Sequence, residues 1–191
     1  MAIFYRGAGV GTYWHVNDAL ISGFNAHVPG AARTSSSLIS HIKNGTTTSA
    51  FISMTRSYSV AWSYAIFSGY AVPTSSHPAF VYEIEVLDPP PIGVVVLDPL
   101  REISNSVPPI LGAASYQHDG FPDFLMGVVD PKTMAHYLTK PIQHPPPGGA
   151  TPRAANLSPE LETLVRALRD AEILAVATIP ASCVIKKHPV F

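Results

Sequence analysis

Polar side chains stand at the ends of several apolar, strand-like runs: Arg6 after Ile3-Phe4-Tyr5, Ser53 and Thr55 in Phe51-Ile52-Ser53-Met54-Thr55, and Glu172 before Ile173-Leu174-Ala175-Val176. An arginine can hold a phosphate or a carboxylate through its planar fork of donors. A serine hydroxyl can orient a sugar hydroxyl or a carboxylate, and a partly buried glutamate can stabilise positive charge as it develops in a transition state. Ser53 and Thr55 share a face if they lie in a strand, because side chains two apart do so. The glycines after Arg6, in Gly7-Ala8-Gly9-Val10-Gly11, let backbone or a ligand come close. This run lacks the Lys-Ser/Thr of a phosphate-binding P-loop and stops matching a dinucleotide fingerprint after Gly11. None of the 8 histidines forms a pair at HxxxH or HExxH spacing, so no metal site is expected. There is no G-x-S-x-G elbow to support a serine hydrolase.

Positioning these groups requires particular elements. Residues 49–65 change period: a buried strand ends in the two hydroxyls, and Val60, Ala61, Tyr64, Ala65 and Phe67 then fall at the spacing of an amphipathic helix. Residues 2–6 predict a first strand that delivers Arg6 to its end. Residues 16–28 predict a short helix ending near Gly23, with Asn17 or Asp18 as its cap. Leu38, Ile39 and Ile42, with His41 among them, form an apolar spacing stopped by Asn44-Gly45. After a loop at 69–78, residues 79–87 alternate like a half-exposed strand, and 93–97 is a further strand candidate. Residues 99–122 read as irregular, 124–129 as strand-like and 133–138 as a short helix. At 158–162 a serine cap, a proline in the first helical position and first-turn acids predict a helix start. Leu161, Leu164, Val165 and Leu168 carry that helix to about Arg169. Residues 172–179 then form a buried strand closed by Pro180, and 183–187 a last one.

Composition narrows the class. With 47% hydrophobic and 13% charged residues, the 191-residue chain can bury a core, and a single α+β domain over 1–191 is expected. The 19 prolines, about twice average usage, mark loops between strands, and a Pro/Gly-rich inserted loop is expected at about 141–157. A net charge of −1 argues against general binding to a nucleic-acid backbone. One cysteine, Cys183, excludes an intrachain disulfide framework. No run is long and apolar enough for a membrane span, and the chain opens without a signal peptide's apolar region. These features lead us to expect no membrane partner and work in a reducing cytosol, of the producer or of a target cell.

Taken together, the order of these segments resembles the mono-ADP-ribosyltransferase toxins of the Arg-Ser-Glu type, the group of the pertussis and cholera toxin catalytic subunits. Tyr5-Arg6-Gly7 is similar to the family's first-strand arginine motif. Phe51-Ile52-Ser53-Met54-Thr55 resembles its aromatic, hydrophobic, Ser-Thr-Ser signature, followed by a helix carrying Val60-Ala61. His41-Ile42 resembles the histidine ahead of that signature, and Phe80 to Val86 the central strand after it. Glu172-Ile173-Leu174 through Ile179-Pro180 and Val184-Ile185 resembles the strand of the catalytic glutamate and its Ile-Pro ending. The matched segments cover about a third of the chain.

The resemblance implies a split, mixed β-structure with flanking helices that binds NAD in an open cleft and transfers ADP-ribose with loss of nicotinamide. Glu172, Ser53 and Arg6 would be the catalytic set, with Arg6, Gly7, His41, Ser53 and Thr55 contacting NAD. Ser53 would position Glu172, and Glu172 would stabilise the cation formed as the C–N bond breaks. Tyr58, Trp62 and Tyr64 would pack the helix, with one of them able to stack on nicotinamide. The acceptor would be macromolecular, a protein in preference to a nucleic acid, with a delivery module or an immunity protein as further partners. Three departures stand out: Met54-Thr55 replaces the Thr-Ser ending, Asp170 stands where the family carries the Glu or Gln that handles the acceptor, and Ser53 is far from Glu172. The distance leaves Asp119 and Asp123 as alternative catalytic acids, Asp119 because Ala114 to Asp119 is similar to the region around the glutamate of such an enzyme. Glu172 is preferred for its Ile-Pro ending. An NAD glycohydrolase, with water as acceptor, and a catalytically silent domain on the same fold are the alternatives.

Overall fold

A computed structural model describes residues 1–45, 47–106, 117–118, 121–122 and 159–191. The first strand, β1 (Ala2–Ala8), is followed by two one-turn helices, α1 (Tyr13–Val16) and α2 (Ala19–Ser22), a short strand β2 (Phe24–Asn25) and helix α3 (Ser35–Asn44). Strand β3 (Phe51–Thr55), helix α4 (Tyr58–Phe67) and strand β4 (Ala79–Val86) come next, then β5 (Val96–Leu97) and α5 (Pro99–Ser106). The pair β6 (Gln117–His118) and β7 (Phe121–Pro122) precedes α6 (Pro159–Arg169), β8 (Glu172–Val176), β9 (Thr178–Ile179) and β10 (Val184–Val190). This is an α+β architecture of helices on an antiparallel sheet.

Six strands form the main sheet in the order β10-β4-β1-β3-β8-β5, while β2 pairs with β9. β1 runs antiparallel to both β3 and β4, so those two are parallel to each other and α4 is the crossover between them. β1 therefore fills the gap inside a β-α-β unit. The expected mixed pairing does not form, because β1 separates the two parallel strands and every ladder among the described residues is antiparallel. Among those residues β1 and β3 share one register pair, Tyr5 with Thr55, whereas β1 and β4 pair along their whole length from Ala2–Val86 to Ala8–Phe80. The sheet is pinched between β1 and β3.

Burial follows the strand period of two. Phe4, Ile52, Met54, Tyr82, Ile84, Ile173 and Ala175 face one side and pack with Phe24. On the other side, Phe51, Leu174 and Val176 pack under Leu38 of α3, Ile103 of α5 and Leu164 of α6. Also on that side, α4 lays Ala61 and Ala65 against β1 and β4. The small residues matter here: a Cβ on Gly7 would stand 2.2 Å from the Ala61 carbonyl oxygen, so glycine is what lets helix and strand touch. The glycine run after Arg6 thus accommodates backbone.

Several sequence expectations need correction. The helix expected at 16–28 divides because Asp18 caps α2, accepting from the Leu20 N–H at 3.0 Å, and Gly23 ends it at φ 68°. The chain then pairs Phe24 with Ile179. Residues 99–106 are helical, not irregular: Pro99 fills the first position and Asp98 accepts from the Leu100 N–H. The strand at 172–179 breaks at Ala177, whose φ of 63° turns the chain out of the main sheet and into the pair with β2. β4 alternates much as expected, burying Ala79, Val81, Tyr82, Ile84 and Val86 and leaving Phe80, Glu83 and Glu85 partly exposed, though it is an inner strand with a neighbour on each side. The strand expected at 93–97 shrinks to Val96–Leu97, while the first and last strands reach Ala8 and Val190. Asp119, Asp123, Ser158, the elements expected at 124–129 and 133–138, and the loop at 141–157 lie outside the described residues. No helix among the described residues is long and apolar enough to cross a membrane.

Candidate active site

Because β1, β3 and β8 are neighbours, Arg6, Ser53, Thr55 and Glu172 meet at one place although they are far apart in the chain. Thr55 is the register partner of both Tyr5 and Glu172, which aligns the three strand ends. Arg6 has the strand parity of Phe4 and Ala8, but its guanidinium reaches the pinch between β1 and β3, where Nη1 donates to the Ser53 carbonyl. The carbonyl lies beyond the single β1–β3 pair, so a side-chain donor serves it where the ladder has ended. Arg6 Cζ also stands 5.7 Å from the centre of the Phe24 ring.

Helix α3 brings in His41. Thr34 and Ser37 close a capping box at its start, and the helix seats a buried His41 with Nε2 2.9 Å from Ser53 Oγ. Burial, reinforced by the charge of Arg6, pushes His41 down to about 4, so its ring is neutral. Burial also pushes Arg6 down, to about 10, against the pull of Glu172, and Arg6 keeps its charge at neutral pH. For Glu172 burial is again the largest effect and raises its carboxyl. The Ser53 hydrogen bond opposes that rise, Asp170 adds to it, and Arg6 and Arg169 oppose it. His41 Nε2 and Ser53 Oγ share one hydrogen bond, and the nearby Ser53 hydroxyl favours the charged form of Glu172. Arg6 Nε and His41 Nδ1 are both buried and have no protein partner among the described residues.

Thr55 is fully engaged: Oγ1 donates to the Asp170 carbonyl at 2.6 Å and accepts from the Ser57 N–H at 3.0 Å. It ties the start of α4 to the turn before β8, and its effect on the cavity comes from holding that turn. Asp170 lies between α6 and Ala171, whose φ of 45° swings the chain into β8. Burial would raise the Asp170 carboxyl, but bonds from Arg169 and Tyr64 outweigh it and hold the group below its ordinary value. Arg169 Nε and Nη2 each donate across 2.7 Å, and the Tyr64 hydroxyl donates across 2.8 Å.

All of these side chains border one cavity of about 300 Å³, together with Gly7, His41, Ile42 and Arg166. A second chamber of about 410 Å³ adjoins it, lined by Val60, Ser63, Tyr64, Phe67, Ser68, Arg169 and Asp170. Every sequence-derived site residue within the described segments thus borders the first cavity. Arg166 and Arg169 are not among the sequence-derived candidates: last-turn basic residues have ordinary structural uses, and only the Arg169-Asp170-Ala171-Glu172 adjacency hints otherwise. The buried face of α4 is Ala61 and Ala65; of the three rings on the helix, all partly exposed, Tyr58 packs edge-on against Tyr5 and His188 and Tyr64 lines the cavity. Among the described residues no group of three or more His, Cys, Asp or Glu could hold a metal ion. Compared with models of known protein families and with curated proteins, the chain matches none.

Proposed function

We propose that the protein is an NAD-dependent mono-ADP-ribosyltransferase with a fold of the Arg-Ser-Glu toxin type, the split sheet being formed where β1 parts from β3. The observation that carries this reading is the joining of three remote segments through one serine. The Ser53 backbone accepts from Arg6, its hydroxyl bonds His41, and the same hydroxyl favours the charged form of Glu172, all at a single cavity. NAD suits this set of groups. Arg6 and Arg166 supply positive charge for a pyrophosphate, and the Arg6 Nε–H, without a protein partner among the described residues, offers a buried donor for phosphate oxygens, while His41 Nδ1 is a buried polar atom open to a ribose hydroxyl. Gly7 lines the same wall.

NAD contributes a ribose–nicotinamide C–N bond whose cleavage leaves positive charge on the ribose and the electron pair on nicotinamide. Glu172, charged and aimed by Ser53, is suited to stabilise that charge. A nucleophile on the acceptor then forms the new bond to the ribose carbon and gives up one proton. Asp170, two residues from Glu172, is the group placed to orient a macromolecular acceptor, of which a protein is the favoured kind. One observation favours hydrolysis as a second reading: Asp170 is already engaged by Arg169 and Tyr64, which leaves water as the ready acceptor.

Incubation with NAD labelled in the adenylate portion separates these outcomes. Label on a macromolecule means transfer, and free ADP-ribose with nicotinamide means hydrolysis. Intact NAD overturns the reading in favour of a silent domain.

A further inference from the structure

We propose that Arg166 is a positioning residue that couples the substrate's pyrophosphate to the seat of His41, by capping the end of α3 with one donor while meeting the anion with others. The inference rests on the NAD reading above. Helix α3 holds His41 in its last turn, and the seam that packs it on α6 joins Leu38, Ile39 and Ile42 to Leu164, Val165 and Leu168. Past that seam, the last carbonyls of α3 lack partners within the helix. The Gly45 N–H donates to the His41 carbonyl at 3.0 Å, and Arg166 Nη1 donates to the Lys43 carbonyl at 3.2 Å. The second bond brings positive charge to the negative end of the helix dipole. It comes from α6, so the end of α3 is tied to another element through one side chain.

The same arginine lines the catalytic cavity, and so do His41, Ile42 and Gly45 from the end of α3. Its charge is felt at Asp170 in that cavity, whose carboxyl it helps to lower. A guanidinium has five N–H donors in a fixed plane, so one can hold the Lys43 carbonyl while others meet a phosphate oxygen. An anion in the cavity then fixes the Arg166 side chain and, through it, the last turn of α3. His41 Nε2 lies 2.9 Å from Ser53 Oγ, and that hydroxyl favours the charged form of Glu172. A substrate held by its pyrophosphate therefore tightens the contacts that run from α3 to the catalytic carboxylate. A lysine keeps the charge for the phosphate, but its ammonium ends a flexible stem and has no plane to set two acceptors at a fixed angle.

ADP-ribose carries the pyrophosphate and lacks the bond to nicotinamide, so it is the probe, used on the full chain. Amide hydrogen exchange by NMR reads the two ends of α3: the Gly45 N–H at the tied end, and at the other the Leu38 N–H, which bonds the Thr34 carbonyl. We expect saturating ADP-ribose to slow Gly45 about tenfold more than Leu38, the scale of one hydrogen bond to a charged group. Arg166→Lys should bind ADP-ribose within about threefold of the parent, because the charge is kept, and should lose that selective slowing. With NAD, the same variant should lower kcat about tenfold while KM moves by less than about threefold. If Arg166→Lys misfolds, Arg166→Gln replaces it, with about tenfold weaker binding and, at saturation, no selective slowing. No selective slowing in the parent, or selective slowing that survives in the variant, overturns the proposal and leaves the NAD reading standing. So does a rise in KM at unchanged kcat. Selective slowing that the variant loses, with NAD left intact by the parent, upholds the coupling and overturns the enzyme reading alone. No ADP-ribose binding overturns the proposal, and with intact NAD it overturns the reading beneath it as well.

Discussion

Glu172 carries the sharpest conflict between stability and function. Burial raises its carboxyl, so the folded chain binds that proton more tightly than the unfolded chain does. The stability this gives is complete below the ordinary glutamate value of about 4.3 and is lost as pH rises through the raised folded value. Ionising Glu172 therefore comes at a cost to the fold. Glu172→Gln should lower NAD cleavage by about a hundredfold to a thousandfold, the scale of one preorganised transition-state contact, while raising the urea midpoint at pH 7. Equal activity in Glu172→Gln would show that another acid does the chemistry. Ser53→Ala removes a bond to the charged carboxylate, a loss of about 1.5–3 kcal/mol, and should cost about tenfold to a hundredfold in rate. It should also move the acidic limb of the pH–rate profile upward, because the Ser53 bond is what opposes the rise in Glu172.

At the scale of elements, the contact between α4 and β1 fixes the cavity wall. Gly7 lies under the helix, with room for no side chain beside Ala61 and Ala65. Gly7→Ala must push α4 outward and is expected to cost about 1–3 kcal/mol as an overpacking change. Urea denaturation reads that cost. The displaced helix carries Tyr64, so NAD cleavage should fall as well, and a variant as stable and active as the parent would show that α4 does not hold this wall. Thr55 acts at the same scale: its hydroxyl joins the start of α4 to the turn that carries Asp170 and Glu172. The split in the sheet is itself an element-level device, since it frees the Ser53 carbonyl for Arg6.

The whole molecule responds to acid through a histidine buried in its neutral form. His41 falls from an ordinary value near 6.5 to about 4 in the fold. Between those values the unfolded chain binds the proton and the folded chain does not, so the stability His41 contributes is present above about 6.5 and is lost as pH falls towards about 4. Urea unfolding at pH 7, 6 and 5 should show falling stability, and His41→Gln should flatten that slope. An unchanged slope would mean that His41 is not held neutral. In the pH–rate profile His41 stays uncharged above about 4, which leaves Glu172 as the group that sets the acidic limb.

The sequence alone marked the chemistry. Arg6, Ser53 and Glu172 were legible because polar groups at the ends of apolar strands are local patterns, and α6 was legible from its proline, its acids and its stripe. Asp98 with Pro99 was an equally local signal for α5 that went unread among the surrounding prolines. Other features depend on which strands become neighbours. The sequence leaves open whether Gly7 makes room for backbone or for a ligand, and α4 lying on it decides for backbone; Thr55 reads as a contact residue, but its hydroxyl is taken by the Asp170 carbonyl at 2.6 Å. The break at Ala177 follows from the pairing of β9 with β2, which no local period encodes. Arg169 is visible as part of the site only in three dimensions, as is the choice of Tyr64 among the three rings of α4, because α4 and α6 converge on Asp170 from distant parts of the chain. Residue type and spacing set what each side chain can do, and the tertiary contacts decide which groups share a cavity and which hydroxyls and charges are already taken.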